Sequence, residues 1–156
     1  MDAAPPATPE ELDACASLIE DWLVEQLEEN PSVQSYERDD STGERRWVVR
    51  VAGEEKTISA VWFHLQQRTL HVETYFMPAP EENHAQLYEH LLRRNVGFQG
   101  FAFAIGAEDA VFLVGGTPVH RVTRDELDRL LGSVYQYVEQ CFRPAMRIGF
   151  ASRFNR

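Results

Sequence analysis

The sequence predicts an α+β domain: a mostly antiparallel sheet of five strands with helices packed on it, in the order α-β-β-β-α-β-β-α. Three observations point there. Residues 46–77 read RWVVRVAGEEKTISAVWFHLQQRTLHVETYFM, three runs rich in Val, Ile, Trp, Phe, Tyr and Thr joined by short polar turns. Residues 101–114, FAFAIGAEDAVFLV, give a second pair of strands around a Gly-containing turn. Two Thr-x-x-Glu boxes, at Thr8 and Thr123, each open a stretch whose apolar residues recur at three- and four-residue spacing. Strands cluster instead of alternating with helices, which separates α+β from α/β.

Taken in order, residues 1–7 are Pro- and Ala-rich and read as a disordered N-terminal tail. Thr8 caps a helix with Pro9 at its first position and Glu11 closing the box. Its stripe is Leu12, Cys15, Ala16, Ile19, Leu23 and Leu27, and Pro31 stops it at Asn30. Residues 31–45 form a polar connection with a short edge strand around Val33 to Tyr36. In the meander, Trp47, Val49 and Val51 share one face of the first strand. The second strand is apolar on both faces, with Ile58, Ala60 and Trp62 on one and Val61 and Phe63 on the other. Such a strand calls for cover on both sides. The third carries Leu70, Val72 and Phe76 opposite His71, Glu73, Tyr75 and Met77.

A second helix spans residues 81–95 with the stripe Leu87, Tyr88, Leu91 and Leu92. Two further strands follow, residues 99–105 and 110–114, and then Gly115-Gly116-Thr117-Pro118 reads as a loop. The last helix carries Leu127, Leu130, Leu131, Val134, Val138 and Cys141 on one side until Pro144 breaks the pattern. The domain therefore runs over residues 8–142, with 143–156 as a basic C-terminal tail.

The chain has 156 residues and a net charge of −10, with 44% hydrophobic and 26% charged residues, ordinary values for one globular domain. The charge is uneven. Residues 1–43 hold twelve acids and one Arg, whereas the last fifteen hold four Arg and no acid. The acidic half would repel a phosphate backbone, so nucleic acid is not an expected partner. No apolar run approaches the roughly 20 residues of a membrane span, and no signal-peptide pattern opens the chain. A cytoplasmic protein without a membrane partner is the expectation.

The chemistry-bearing residues form no catalytic set. His64 and His71 sit on neighbouring strands without a third ligand at fixed spacing, and His84 and His90 are six apart, wrong for one helix face. Cys15 and Cys141 each fall on an apolar helix stripe, where Cys behaves as a small hydrophobe. No phosphate-binding loop is present. We expect no cofactor, no metal and no enzymatic activity.

The element order, the helix ending WLVEQLEEN, the helix HAQLYEHLLRRN and the strand pair FAFAIGAEDAVFLV together resemble the YbjN family of bacterial proteins. Proteins of this kind are described as regulators of sensory transduction, with the fold of the type III secretion chaperones. The resemblance covers residues 8–142 and implies a non-enzymatic homodimer that binds protein segments along apolar patches. It supplies no active-site motif.

On this reading a dimer interface is expected at Tyr88, Leu91, Leu92, Phe103 and Phe112, and a patch for an unknown client or regulatory partner at Val61, Phe63 and Tyr75. A chaperone dedicated to one secreted client is a rival reading. A small-molecule or enzymatic site near His64 and His71 is another, favoured by a deep closed pocket there over a shallow apolar groove.

Overall fold

The computed structural model describes residues 5–154. Helix α1 (Pro9–Glu29) is followed by strands β1 (Val33–Asp39), β2 (Arg45–Ala52), β3 (Ile58–Leu65) and β4 (Thr69–Met77). Helix α2 (His84–Asn95) leads to β5 (Phe101–Ile105) and β6 (Val111–Pro118), and the chain ends in α3 (Arg124–Gly149) and the single turn α4 (Ala151–Phe154). The strands form one antiparallel sheet of six, ordered β1-β2-β3-β4-β6-β5.

The sheet thus has six strands, not five. The connection after α1 is a full edge strand, β1, paired along β2 with a bulge between Val33 and Ser35. Its polar composition hides it, because Val33 and Tyr36 are the large apolar side chains it packs against the core. Gly115 and Gly116 also belong to a strand, not a loop. A Cβ on Gly115 would lie 2.2 Å from the Gly100 carbonyl oxygen and 2.5 Å from the Phe101 ring. Glycine there marks close approach, not a turn.

All three long helices lie on one face of the sheet. Trp47, Val49, Val51, Val61, Phe63, Leu70, Val72 and Leu113 point into a single core with Ile19, Trp22 and Leu23 of α1, Leu87 and Leu91 of α2, and the α3 stripe. The expectation that both faces need helical cover is corrected here. The second face carries Arg46, Arg50, Glu73 and His71 among its apolar groups, so alternation survives and water can wet it. Its aromatics are shielded by cations: the Arg46 guanidinium lies 4.7 Å from the Trp62 ring centre, and the Lys56 ammonium 5.8 Å from that of Tyr75.

Polar seams fix the helices. The indole N–H of buried Trp22 donates to Asp128 Oδ1 at 2.8 Å, joining α1 to α3. Glu139 of α3 accepts from the backbone N–H groups of Glu54, Glu55 and Lys56, clamping the β2–β3 loop. Thr117 of β6 donates to Glu126 at 2.6 Å, and Arg129 forks onto the same carboxylate. That pairing, chiefly with Arg129, holds the Glu126 carboxyl below its usual range.

The described part of the expected tail, residues 143–154, is not separate from the domain. Helix α3 runs through Pro144, which sits on the exposed side, where the carbonyl its ring frees can face water. The stripe Val138, Cys141, Ala145, Gly149 then continues unbroken into the core, and Phe150 is buried after it. The Gly149 carbonyl accepts from Glu81 and Glu82, and Asn83 Nδ2 donates to the Ile148 carbonyl at 2.9 Å. This end of the chain thereby holds the entry of α2, which starts at His84 and not at residue 81. At the other terminus, Ala7 donates to the Gln67 carbonyl at 2.8 Å, so it is held against the β3–β4 turn. Residues 1–4 of the expected tail lie outside the described residues, as do 155 and 156.

A core Phe truncated to Ala costs about 3–5 kcal/mol. Phe150→Ala should therefore lower the thermal midpoint by roughly 10 °C, at about 2–4 °C per kcal/mol for a chain of this size. Differential scanning calorimetry checks this; a shift within about 2 °C, less than 1 kcal/mol is worth, would mean that Phe150 adds nothing to the core.

Candidate functional site

A strongly apolar hollow of the surface lies where α2 crosses the edge strand β5. Tyr88, Leu91 and Leu92 from the helix, Phe103, Ala104 and Ile105 from the strand and Val111 from β6 line an open groove of about 260 Å³. The helix is amphipathic but short. Leu87 and Leu91 are the residues it buries, which leaves Leu92 65% exposed. Ile105 ends its strand and is 55% exposed. The groove is the gap between this helix and the strand it covers.

The two sheet edges differ. Strand β1 is bulged and carries Glu37, Arg38 and Asp39, the usual defences of a free edge. Strand β5 has no charge, and α2 guards it: Asn95 Oδ1 accepts the Phe103 N–H at 2.7 Å. That bond occupies a donor in the middle of the edge, so an added strand would find it taken. The groove therefore offers side-chain packing and not strand addition.

Of the residues expected at a dimer interface, the fold brings Tyr88, Leu91, Leu92 and Phe103 together in this groove. Phe112 is not among them. It points to the uncovered face, opposite Tyr75 in register, with ring centres 5.6 Å apart and nearly perpendicular planes. The expected partner patch of Val61, Phe63 and Tyr75 does not exist as a surface. Val61 and Phe63 point into the core at 1% and 0% exposure, and Tyr75 alone is exposed. Val61 and Phe63 face the helices because they pair with Val49 and Trp47, which share that face. Ile105 and Asn95 leave little signal in the sequence: Ile105 reads as core with Phe101 and Phe103, and Asn95 as a mere helix end.

His64 and His71 stand directly opposite each other across β3 and β4. Each is engaged separately: His64 Nε2 lies 3.4 Å from Glu44 and His71 Nε2 3.3 Å from Glu73. The hollow beside His64 is open, is lined by Glu44, Arg45, Gln66 and Gln67 among others, and does not include His71. Among the described residues no three His, Cys, Asp or Glu side chains gather as metal ligands. Cys15 and Cys141 are free and buried, and burial raises both thiols above their usual range. Burial likewise pushes Lys56 down, while its ammonium donates to the Ile58 carbonyl. Neither thiol and no lysine among the described residues is paired with a base. Among the described residues no helix is long and apolar enough to cross a membrane.

Comparison with known proteins leads to one family. A model of the YbjN family, described as "Putative bacterial sensory transduction regulator", matches residues 17–145. An uncharacterized protein of Mycobacterium leprae is 32% identical over 107 residues, 69% of this chain and 58% of that relative. An uncharacterized protein of Mycobacterium tuberculosis is 31% identical over 109 residues, 70% of this chain and 60% of the relative. The matched stretch thus spans about three-fifths of the relatives' length.

One titrating group of shifted pKa sits on the helix that builds the groove. His90 has a buried Nε2 with no hydrogen-bond partner among the described residues. Burial first, and then the Arg94 charge one turn on, hold its imidazole below the ordinary value of 6.5. The fold therefore favours the neutral ring. The stability this contributes is complete above pH 6.5 and is lost as pH falls from there through the lower folded value. In urea melts from about pH 7.5 to 5, bracketing that window, His90→Gln should lose less stability on acidification than the wild type. Parallel curves for the two proteins would exclude His90 as a source of the slope.

Proposed function

The chain belongs to the YbjN family, and from its surface we propose that it is a non-enzymatic, cytoplasmic regulatory domain that works by binding protein, first of all a second copy of itself. The observation that carries the reading is the α2–β5 groove. It is apolar and shallow, it lies beside exposed Leu92 and Ile105, and it holds no group equipped for chemistry. An open groove beside protruding Leu and Ile suits an isologous pair, in which each copy's protruding side chains fill the other's gap. Tyr88 flanked by Leu91 and Leu92 has the make-up of an interface anchor. A stable pair should remove upwards of roughly 1,200 Å² from water. The type III secretion chaperone fold that the resemblance to the YbjN family implies would fit the same reading, with a chaperone for one client as a narrower version of it. The separation of His64 from His71 into two carboxylate pairs weighs against the small-molecule alternative.

Multi-angle light scattering tests the pairing. The wild type should be a dimer at ~100 μM, well above the dissociation constants of weak specific pairs. Leu92→Asp, a change at an exposed position, should be a folded monomer with an unchanged circular dichroism spectrum. A monomeric wild type would sink the proposal, and a dimer indifferent to Leu92→Asp would move the interface elsewhere.

A further inference from the structure

The groove has ends of opposite charge. Helix α2 delivers Asn95 to Phe103, and residues 96–100 then lead into the start of β5, so the helix runs antiparallel to the strand it covers. Arg93 and Arg94 therefore stand toward the end of the groove where β5 begins. At the other end, just past Ile105, the β5–β6 turn carries Glu108 and Asp109. Both acids are exposed, and neither has an ion-pair partner among the described residues.

The turn has a second peculiarity. Glu108 and Asp109 both adopt left-handed backbone, with φ of 59° and 56°. Asp tolerates this conformation, whereas a Gly or Asn would sit at Glu108 with less strain. Among the described residues Arg93 is held by Glu89 alone, one turn before it, at 2.9 Å, with both side chains largely exposed. Such helix pairs contribute a few tenths of a kcal/mol, so Arg93 can change partner at little loss.

We propose that a second copy of this chain docks antiparallel in the α2–β5 groove, its register fixed by Glu108 and Asp109 of each copy meeting Arg93 of the other. The inference rests on the dimer proposed above and adds its orientation. A two-fold axis through the middle of the groove exchanges the two ends, so the acidic turn of each copy lands on the basic helix end of its mate. Each contact then occurs twice. A parallel or slipped arrangement would set Arg against Arg and Glu against Glu, and like charges brought together disfavour wrong registers more than unlike charges strengthen the right one.

Charge reversal tests the register. Glu108→Arg alone would set a new guanidinium against Arg93 at both contacts. Arg93→Glu alone would set a new carboxylate against Glu108 at both. Each single change should weaken dimerisation about ten-fold, the equivalent of roughly 1.4 kcal/mol, measured by sedimentation at low salt with thermal melts confirming the fold. The double variant Arg93→Glu/Glu108→Arg should recover the wild-type dimer to within about two-fold, since opposite charges face each other again. An equimolar mixture of the two single variants should pair as a heterodimer more tightly than either pairs with itself, because one of its two contacts then carries the exchanged charges and the other keeps the original ones. Singles that dimerise like the wild type, or a double variant no better than the singles, would overturn the register while leaving the dimer standing. A wild type that is monomeric would remove dimer and register together.

Discussion

One constraint governs this structure: three helices must cover one face of a six-stranded antiparallel sheet, and its last edge is left to the short α2. The buried row Val49–Val61 and Trp47–Phe63 sets which face is covered, because a slip of one residue would turn Phe63 and Trp47 to water and Trp62 and Arg46 to the core. Helix α1 packs over the β1 side of the sheet and α3 over β4 and β6, and the Trp22–Asp128 hydrogen bond locks the two together. Only α2 is left for β5. Its position depends on the far end of α3, where Gly149 passes under it so closely that a Cβ there would lie 3.4 Å from Leu87 and 3.1 Å from Pro80. The groove is what remains when that short helix has done its share.

The same constraint explains the uncovered face. Trp62, Tyr75 and Phe112 would be a liability if bare, yet each is partly shielded by a cation or by a neighbouring ring. An antiparallel sheet tolerates water on one side when charged residues alternate with apolar ones, and Arg46, Arg50, Glu73 and His71 provide that alternation. Leu92, Val96 and Ile105, beside β5, are the most exposed of the large apolar side chains and have no such shielding among the described residues. Surface chemistry and edge protection thus single out the same place.

The long helices and the meander are legible in the sequence because their signals are local. The Thr8 capping box forms as its spacing predicts, with the Thr8 hydroxyl accepting from Glu11 N and Glu11 reaching back to Thr8 N. Strand β3 lies where its composition puts it, but its apolar residues on both faces do not reveal which side the helices take. Apolar groups on both faces suggest double cover, when Trp62 is shielded by the long arm of Arg46 instead. Pro144 reads as a stop, since a sequence does not reveal that its helix face is solvated there. The gathering of Tyr88, Leu91, Leu92 and Phe103 follows from their apolar character on two neighbouring elements. The exposure of Ile105 depends on where α2 ends relative to β5, a tertiary fact with no local trace.

The central claim is that the α2–β5 groove is the surface at which the protein associates. Amide hydrogen exchange followed by mass spectrometry, at dilute and at concentrated protein, tests it segment by segment. The account predicts that protection rises with concentration in residues 84–111, which span α2, β5 and the acidic turn, and stays constant along β1 and β2. Protection that grew instead along β1, or across the outward-facing rows of β2 and β3, would contradict it.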